Sequence, residues 1–170
     1  MVDFREYLKF LDLEPENADP MEILAVSGGE RQTDSLEVFP KVERAKDGGF
    51  RCRFFLHGWR HVSSAAQARL EGLSPGQSLQ VAVELNNTVT TLALLLLMPD
   101  DYQMIGWARH YLVSDLMRAI AESPTDVSAN VVKVNPAPAP AKQRVLIELT
   151  GQWPDNYEPM ATPEIQLLVH

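Results

Sequence analysis

The run from Leu79 to Ile120, LQVAVELNNTVTTLALLLLMPDDYQMIGWARHYLVSDLMRAI, decides the fold. It divides into three strands, two turns and one amphipathic helix. The strands are Leu79–Leu85, Thr91–Met98 and Gln103–Trp107, separated by Asn86-Asn87-Thr88 and Pro99-Asp100-Asp101, both ordinary hairpin punctuation. Leu92–Met98 is unbroken apolar sequence, too short to cross a bilayer, and so predicts a strand buried on both faces. Leu112, Leu116, Ala119 and Ile120 share one stripe of a helix over Tyr111–Ala121, with Pro124 just past its end.

Outward from this centre the signals are shorter. Toward the amino terminus, Phe50–Trp59 alternates like a strand. Phe50, Cys52, Phe54 and Leu56 face one way; Arg51, Arg53, Phe55, His57 and Trp59 face the other. Ser63 or Ser64 caps a short helix through Leu70, and Ser74-Pro75-Gly76 turns the chain into the central sheet. Asp34–Pro40 reads as an edge strand stopped by Pro40, and Lys41–Gly49 as a polar loop. Further back, Asp3 caps a helix Phe4–Leu11 with apolar residues at Phe4, Tyr7, Leu8 and Leu11. After an acidic, proline-containing linker, Glu14–Pro20, a second helical segment Met21–Val26 stops at Gly28-Gly29. That glycine pair lacks the spacing and the following Gly-Lys-Ser/Thr of a phosphate loop.

On the carboxyl side, Val127–Val134 and Arg144–Gly151 are further strands. The proline-alternating Asn135–Ala141 predicts a stiff extended connector between them, or a docking peptide. Trp153–His170 reads as a proline-punctuated tail wrapping the body. The class expected is mostly β with flanking helices, an α+β protein.

Composition narrows the function. Of 170 residues, 45% are hydrophobic and 22% charged, which are globular values. One cysteine, Cys52, permits no internal disulfide, and Met1–Phe10 has no apolar leader segment; a cytoplasmic protein without membrane association is expected. Twenty-three acids against fifteen Lys and Arg give a net charge of −8, which opposes general attraction to phosphate backbones. Any nucleic-acid site must therefore be local. Gly48–Leu70 contains no acid and holds Arg51, Arg53, Arg60 and Arg69 with His57 and His61. One face of the Phe50–Trp59 strand interleaves cations with aromatics, the mixture that neutralises phosphate and stacks bases. An alternative stays open: the amino-terminal segment covers this face and the arginines reach past it to solvent.

Enzymatic chemistry finds no support. His57 and His61 are four apart, but Gly58 and the extended pattern make them diverge, and no cysteine pair or adjacent carboxylate completes a zinc site. Ser114-Asp115 lacks a nucleophile elbow. Asp100-Asp101 reads as a solvated turn, without the further acid and lysine of a nuclease. A non-enzymatic protein with no metal and no cofactor is expected.

The order Gly58-Trp59-Arg60, Gly76-x-x-Leu79, Asn86-Asn87, Ile105-Gly106-Trp107-x-x-x-Tyr111-Leu112 resembles the HIRAN domain. So do Gly28-Gly29-Glu30-Arg31-x-Thr33-Asp34, Glu37-Val38-Phe39-Pro40 and Phe54-Phe55-x-His57-Gly58. The resemblance runs from Gly28 to Leu116 and is similar to short stand-alone bacterial members. It implies a small β-barrel of HIRAN type with one amphipathic helix, occupying 28–152, between an N-terminal helical extension at 1–27 and a tail at 153–170 packing on the barrel. It also implies a DNA-binding module that holds a single-stranded 3′ end, in the setting of DNA repair or phage defence.

Carried over residue by residue, the family's Gly-x-Arg falls on Gly58-Trp59-Arg60, with His61 and Val62 where stacking tyrosines stand. Its Asn-Pro-Tyr-Asp falls on Asn87-Thr88-Val89-Thr90, without the proline, the aromatic or the acid. A threonine hydroxyl keeps one hydrogen bond but not the charge-assisted one. A further aromatic segment is kept as Gly106-Trp107-Ala108-Arg109-His110. Together with the reading of the residues themselves, the candidate nucleic-acid-binding set is Arg51, Arg53, His57, Trp59, Arg60, His61, Asn87, Thr90, Trp107 and Arg109. The expected partner is single-stranded DNA or a DNA end. The alternative is an adaptor that kept the barrel and lost the DNA site, meeting a protein such as a helicase or nuclease.

Overall fold

Six short apolar runs have to share one core, and in the computed structural model, which describes residues 3–27, 38–162 and 165, they do so as one antiparallel sheet with four helices. The strands are β1 (Gly49–Phe55), β2 (Ser78–Asn87), β3 (Thr91–Leu97), β4 (Met104–Trp107), β5 (Ser128–Val134) and β6 (Val145–Gln152), in the order β1-β6-β5-β2-β3-β4. The helices are α1 (Phe4–Phe10), α2 (Pro20–Ser27), α3 (Ser64–Glu71) and α4 (His110–Glu122). The sheet is open. Its outer strands, β1 and β4, share no ladder; a single two-residue bridge, His57 with Trp107, links the chain just past β1 to β4.

The alternation of β1 is realised as the sequence predicts for its first seven residues. Phe50, Cys52, Phe54 and the following Leu56 enter the main core. There they meet Leu94, Leu96 and Ile105 from β3 and β4, and Leu112, Leu116 and Ala119 from α4. Burial pushes the Cys52 thiol up to about 12, so it is an inert packing group. On the opposite face Phe55 is buried with Leu11 and Leu146 beneath Tyr7, Leu13, Ile23 and Val26. The amino-terminal helices thus cover this face. Asn135 Nδ2 donates to the Phe10 carbonyl at 2.8 Å, and Lys133 Nζ to Asp12 and to the Lys9 carbonyl, which holds α1 against β5.

Several expectations are corrected. The strand predicted to reach Trp59 ends at Phe55: the Leu56 N–H makes the last bond to β6, at its first residue Val145, after which His57 pairs with Trp107 and Gly58 turns the chain at φ +89°. Leu92–Met98 is not fully buried on both faces: Leu94, Leu96 and Met98 on one face and Ala93 on the other are buried, while Leu92, Leu95 and Leu97 are half-buried, since α1 lies over β5 and β6 rather than over β3. Asn135–Ala141 is not extended. β5 and β6 are antiparallel neighbours, so the chain must reverse, and it does so with Ala139 N–H on the Pro136 carbonyl and a 3-10 turn at Ala141–Gln143. Asp3 stands at the N-cap of α1 without a side-chain bond, whereas Ser63 Oγ accepts from Ala66 N–H at 3.2 Å as expected. Val38–Pro40 is irregular; the rest of the predicted edge strand, the Gly28-Gly29 stop and most of the 28–40 motif lie outside the described residues. No helix among the described residues is long and apolar enough to cross a membrane.

One polar side chain sits on the buried face of α4. The Asp115 carboxylate is satisfied by the Tyr157 hydroxyl and by Met160 N–H at 3.3 Å. This pins the segment after β6 to the core, where Trp153 stacks on Phe50 at 4.2 Å. Burial and the Asp115 carboxylate push the Tyr157 hydroxyl from its usual 10.0 up to about 12. A raised pKa gives stability that is complete below pH 10 and lost as pH rises through 12. Tyr157→Phe should therefore cost about 1.5–3 kcal/mol at neutral pH, the range for a hydrogen bond to a charged group. Urea midpoints measured from neutral to strongly alkaline pH should show the gap from wild type closing between pH 10 and 12.

Candidate nucleic-acid interface

The site is built where three segments meet: the end of β1, the β2–β3 hairpin, and the passage from β4 into α4. His57 and Trp107 exchange both backbone hydrogen bonds at 3.0 Å. Both flanking glycines are required for that approach. A Cβ on Gly106 would stand 2.6 Å from the His57 carbonyl oxygen, and one on Gly58 would stand 2.2 Å from Trp107 Cε3. The indole therefore rests directly on the Gly58 backbone. Its Nε1–H donates to Glu84 Oε2 at 2.8 Å, and Asn87 Nδ2 donates to the same oxygen at 2.9 Å. These two donors, Trp107 first, hold the Glu84 carboxyl below the usual carboxylate range.

Asn87 also closes the hairpin turn. Its Oδ1 accepts from Val89 N–H and Thr90 N–H at 3.0 Å each, and the Thr90 hydroxyl lies 3.1 Å from that oxygen and 3.0 Å from the Leu92 carbonyl. Both side chains are engaged in the turn itself. Beyond Trp107, Arg109 occupies the N-cap of α4, with Nη1 3.5 Å from His57 Nδ1. Beyond Gly58, the chain turns with His61 N–H on the Gly58 carbonyl at 2.7 Å, leaving Arg60 and His61 exposed. Arg60 has no ion pair among the described residues.

Of the ten candidates, the fold thus collects His57, Arg60, His61, Asn87, Thr90, Trp107 and Arg109 around one junction. Three lie apart. Arg53 stands directly across from Glu148 on β6, with Nε 2.8 Å from its carboxylate and Nη1 3.5 Å from Asp12. Arg51 shares Glu148 at 3.7 Å and lines a separate open groove of about 640 Å³ with Lys41, Arg44 and Asp47. Trp59 is half-buried with the Arg144 guanidinium 5.2 Å above its ring, so one of its faces already carries a cation.

The fourth arginine of the acid-free segment, Arg69, is 2.5 Å from Asp100 and 3.9 Å from Asp101. Asp100-Asp101 is an exposed turn as expected, and it also carries this ion pair. Arg69 holds the Asp100 carboxyl below the usual range. A crevice lined by Arg53, Arg109, Lys142, Phe39 and Tyr111 has only about 10 Å³ of solvent-reachable space, enough for about one water and no base. Among the described residues no group of His, Cys, Asp and Glu is placed to hold a metal ion.

Glu84 is the residue that the sequence reading missed. Its signal was available: it is the lone charge between Gly72 and Pro99, three residues before Asn87. Neither a protein-family model nor a curated protein nor a solved structure matches the chain. The resemblance to the HIRAN domain rests on the quoted residues alone.

Two measurements test this geometry. Gly76 has φ +84° with open space where its Cβ would be, so Gly76→Ala should cost only the backbone term, about 1–2 kcal/mol. Gly58→Ala adds a collision with the indole and should cost roughly 2–5 kcal/mol by urea denaturation; equal costs would remove the proposed contact. In a variant whose single tryptophan is Trp107, made by Trp59→Phe and Trp153→Phe, acid titration should shift the indole emission. A depressed carboxyl supports the fold above its unfolded pKa and loses that support as pH falls through the folded value. The transition should therefore lie below 4.5 and vanish in Glu84→Gln.

Proposed function

We propose that the chain is a non-enzymatic nucleic-acid-binding module whose sheet is an opened relative of the HIRAN barrel and whose ligand is single-stranded DNA or a DNA end. The observation that supports this reading best is the packing of the Gly58–His61 turn against Trp107. It draws an indole, two imidazoles and the guanidiniums of Arg60 and Arg109 from two distant segments to one junction. Cations meet phosphates there, and the aromatic ring offers a surface that every base can stack on. Arg51 and Arg53 stay outside the binding set, because both pair with Glu148, and Arg53 with Asp12 as well, away from the His57–Trp107 junction. Asn87 and Thr90 serve by holding the hairpin that positions Glu84 and Trp107, rather than by touching the ligand.

One observation favours the second reading, a protein-binding adaptor meeting a helicase or nuclease. The Glu84 carboxylate lies directly beside Trp107, where it repels a phosphate and suits a hydrogen-bond donor or a basic side chain.

Fluorescence anisotropy with labelled single-stranded, 3′-blocked and duplex oligonucleotides separates the two. The module should bind single strands with an affinity that falls as salt rises. Arg60→Ala and Arg109→Ala should each flatten the logarithmic salt slope by about 0.7 per phosphate lost. Arg53→Ala should leave the slope unchanged. Trp107→Ala should weaken binding by about 1–3 kcal/mol, one stacked base. Absence of salt-dependent binding to every oligonucleotide would falsify the nucleic-acid reading and leave the adaptor.

A further inference from the structure

β2 is a sheet strand on one side only. It pairs with β3 from Gln80 to Asn87, but with β5 at just Ser78 and Leu79, where β5 begins and the two strands part. Among the described residues, nothing hydrogen-bonds to the backbone edge of Gln80–Leu85 on the side away from β3. Along the core-facing side of the strand, exposure climbs outward from buried Leu79 to Val83 at 37% and Leu85 at 70%, and the hairpin tip adds Val89 at 88%. Edge strands left open are normally guarded by a lysine, a proline, an inward charge or a bulge. Val81–Leu85 has no lysine or proline, its one charge, Glu84, is taken up by Trp107 and Asn87, and the register shift of this hairpin comes only after Leu85.

We infer that this edge pairs with the same edge of a second copy of the chain, antiparallel about a two-fold axis through Val83. Two observations select a second copy. The first is charge. A molecule with net charge −8 repels its own copies almost everywhere, but Gly72–Pro99 carries Glu84 as its single charge. That carboxylate is drawn across β3 to Trp107 and Asn87, away from the open edge. The second is self-complementarity. With Val83 opposite Val83, Val81 falls opposite Leu85, Ala82 opposite Glu84 and Gln80 opposite Asn86, so the exposed apolar side chains cover one another and no acid faces an acid. The pairing joins two sheets into one and removes both open edges. It does not depend on the nucleic-acid reading.

The test is molar mass by light scattering and sedimentation velocity on the full chain over a wide concentration range. The expected result is twice the 19.0 kDa of one chain at high concentration. Raised salt should strengthen the association, because like charges are screened, whereas it weakens oligonucleotide binding. Val83→Lys and Leu85→Lys, at positions that are already exposed, should keep the far-ultraviolet spectrum and give a monomer at every concentration. Hydrogen exchange gives an independent readout: edge amides within Val81–Leu85 should be protected in concentrated wild type and exchange on dilution. A chain that stays at 19.0 kDa throughout overturns the inference, including the case in which the edge takes only a foreign strand. So does a dimer that survives both lysines, or one whose Val81–Leu85 amides exchange freely.

Discussion

Two hydrogen bonds between the backbones of His57 and Trp107 decide where everything else in this molecule can go. They join the chain just past the first strand in the sheet order to the last one, although the intervening ladder never closes. Backbones bridged in this way lie roughly 4.5–5.5 Å apart, which leaves little room for side chains between the crossing segments. Hence the two glycines. Gly106 allows the His57 carbonyl in, and Gly58 supplies the flat surface on which the indole lies. Once Trp107 is seated there, its N–H fixes Glu84, Glu84 fixes Asn87, and Asn87 closes the hairpin turn. A contact between two segments fifty residues apart in sequence thus propagates to the tip of a third.

The same architecture redistributes charge. Gly48–Leu70 contains no acid, yet the fold supplies one to most of its cations: Glu148 to Arg51 and Arg53, and Asp100 to Arg69. Cross-strand pairing does this for Arg53, since β1 and β6 are antiparallel neighbours and their opposite residues must touch. Exposed pairs of this kind contribute little stability, but they cancel most of the local potential available to a ligand. Among the described residues Arg60 meets no acid, since it sits in the turn after Gly58, outside any ladder. A positive island in sequence becomes a few isolated cations in space.

Features set by local periodicity were legible beforehand. The inward face of β1, the β2–β3–β4 meander and the stripe of α4 follow from alternation and helical spacing alone, and the Ser63 cap from residue type. What was not legible depends on partners distant in sequence. The strand β1 ends because β6 begins at Val145, leaving no partner past Leu56, and Trp107 captures His57. The proline-alternating segment folds back because its flanking strands are neighbours, a fact about β5 and β6 rather than about proline. Of the candidate site, the convergence of His57 and Trp107 was implicit only in the order of weak motifs. The role of Glu84 was not legible because its partners, Trp107 and Asn87, are set by the β2–β3–β4 pairing and the hairpin turn rather than by any pattern within its own strand.

Glu84 also narrows what this junction can accept. Its carboxylate already takes two hydrogen bonds, so its ionised form is held well into the acidic range and its charge is present under ordinary conditions. A phosphate brought to the indole N–H would have to displace that carboxylate, and one brought beside it would feel its repulsion. On the proposed reading, phosphates would therefore meet Arg60 and Arg109 rather than the indole N–H, and Arg60 pairs with no acid among the described residues. A nucleic-acid strand lying across Trp107 would keep its phosphates away from Glu84 and offer that carboxylate only neutral donors, base amines or a sugar hydroxyl. On that reading Glu84 would orient the ligand more than Arg51 and Arg53 on β1, whose charges Glu148 already takes up.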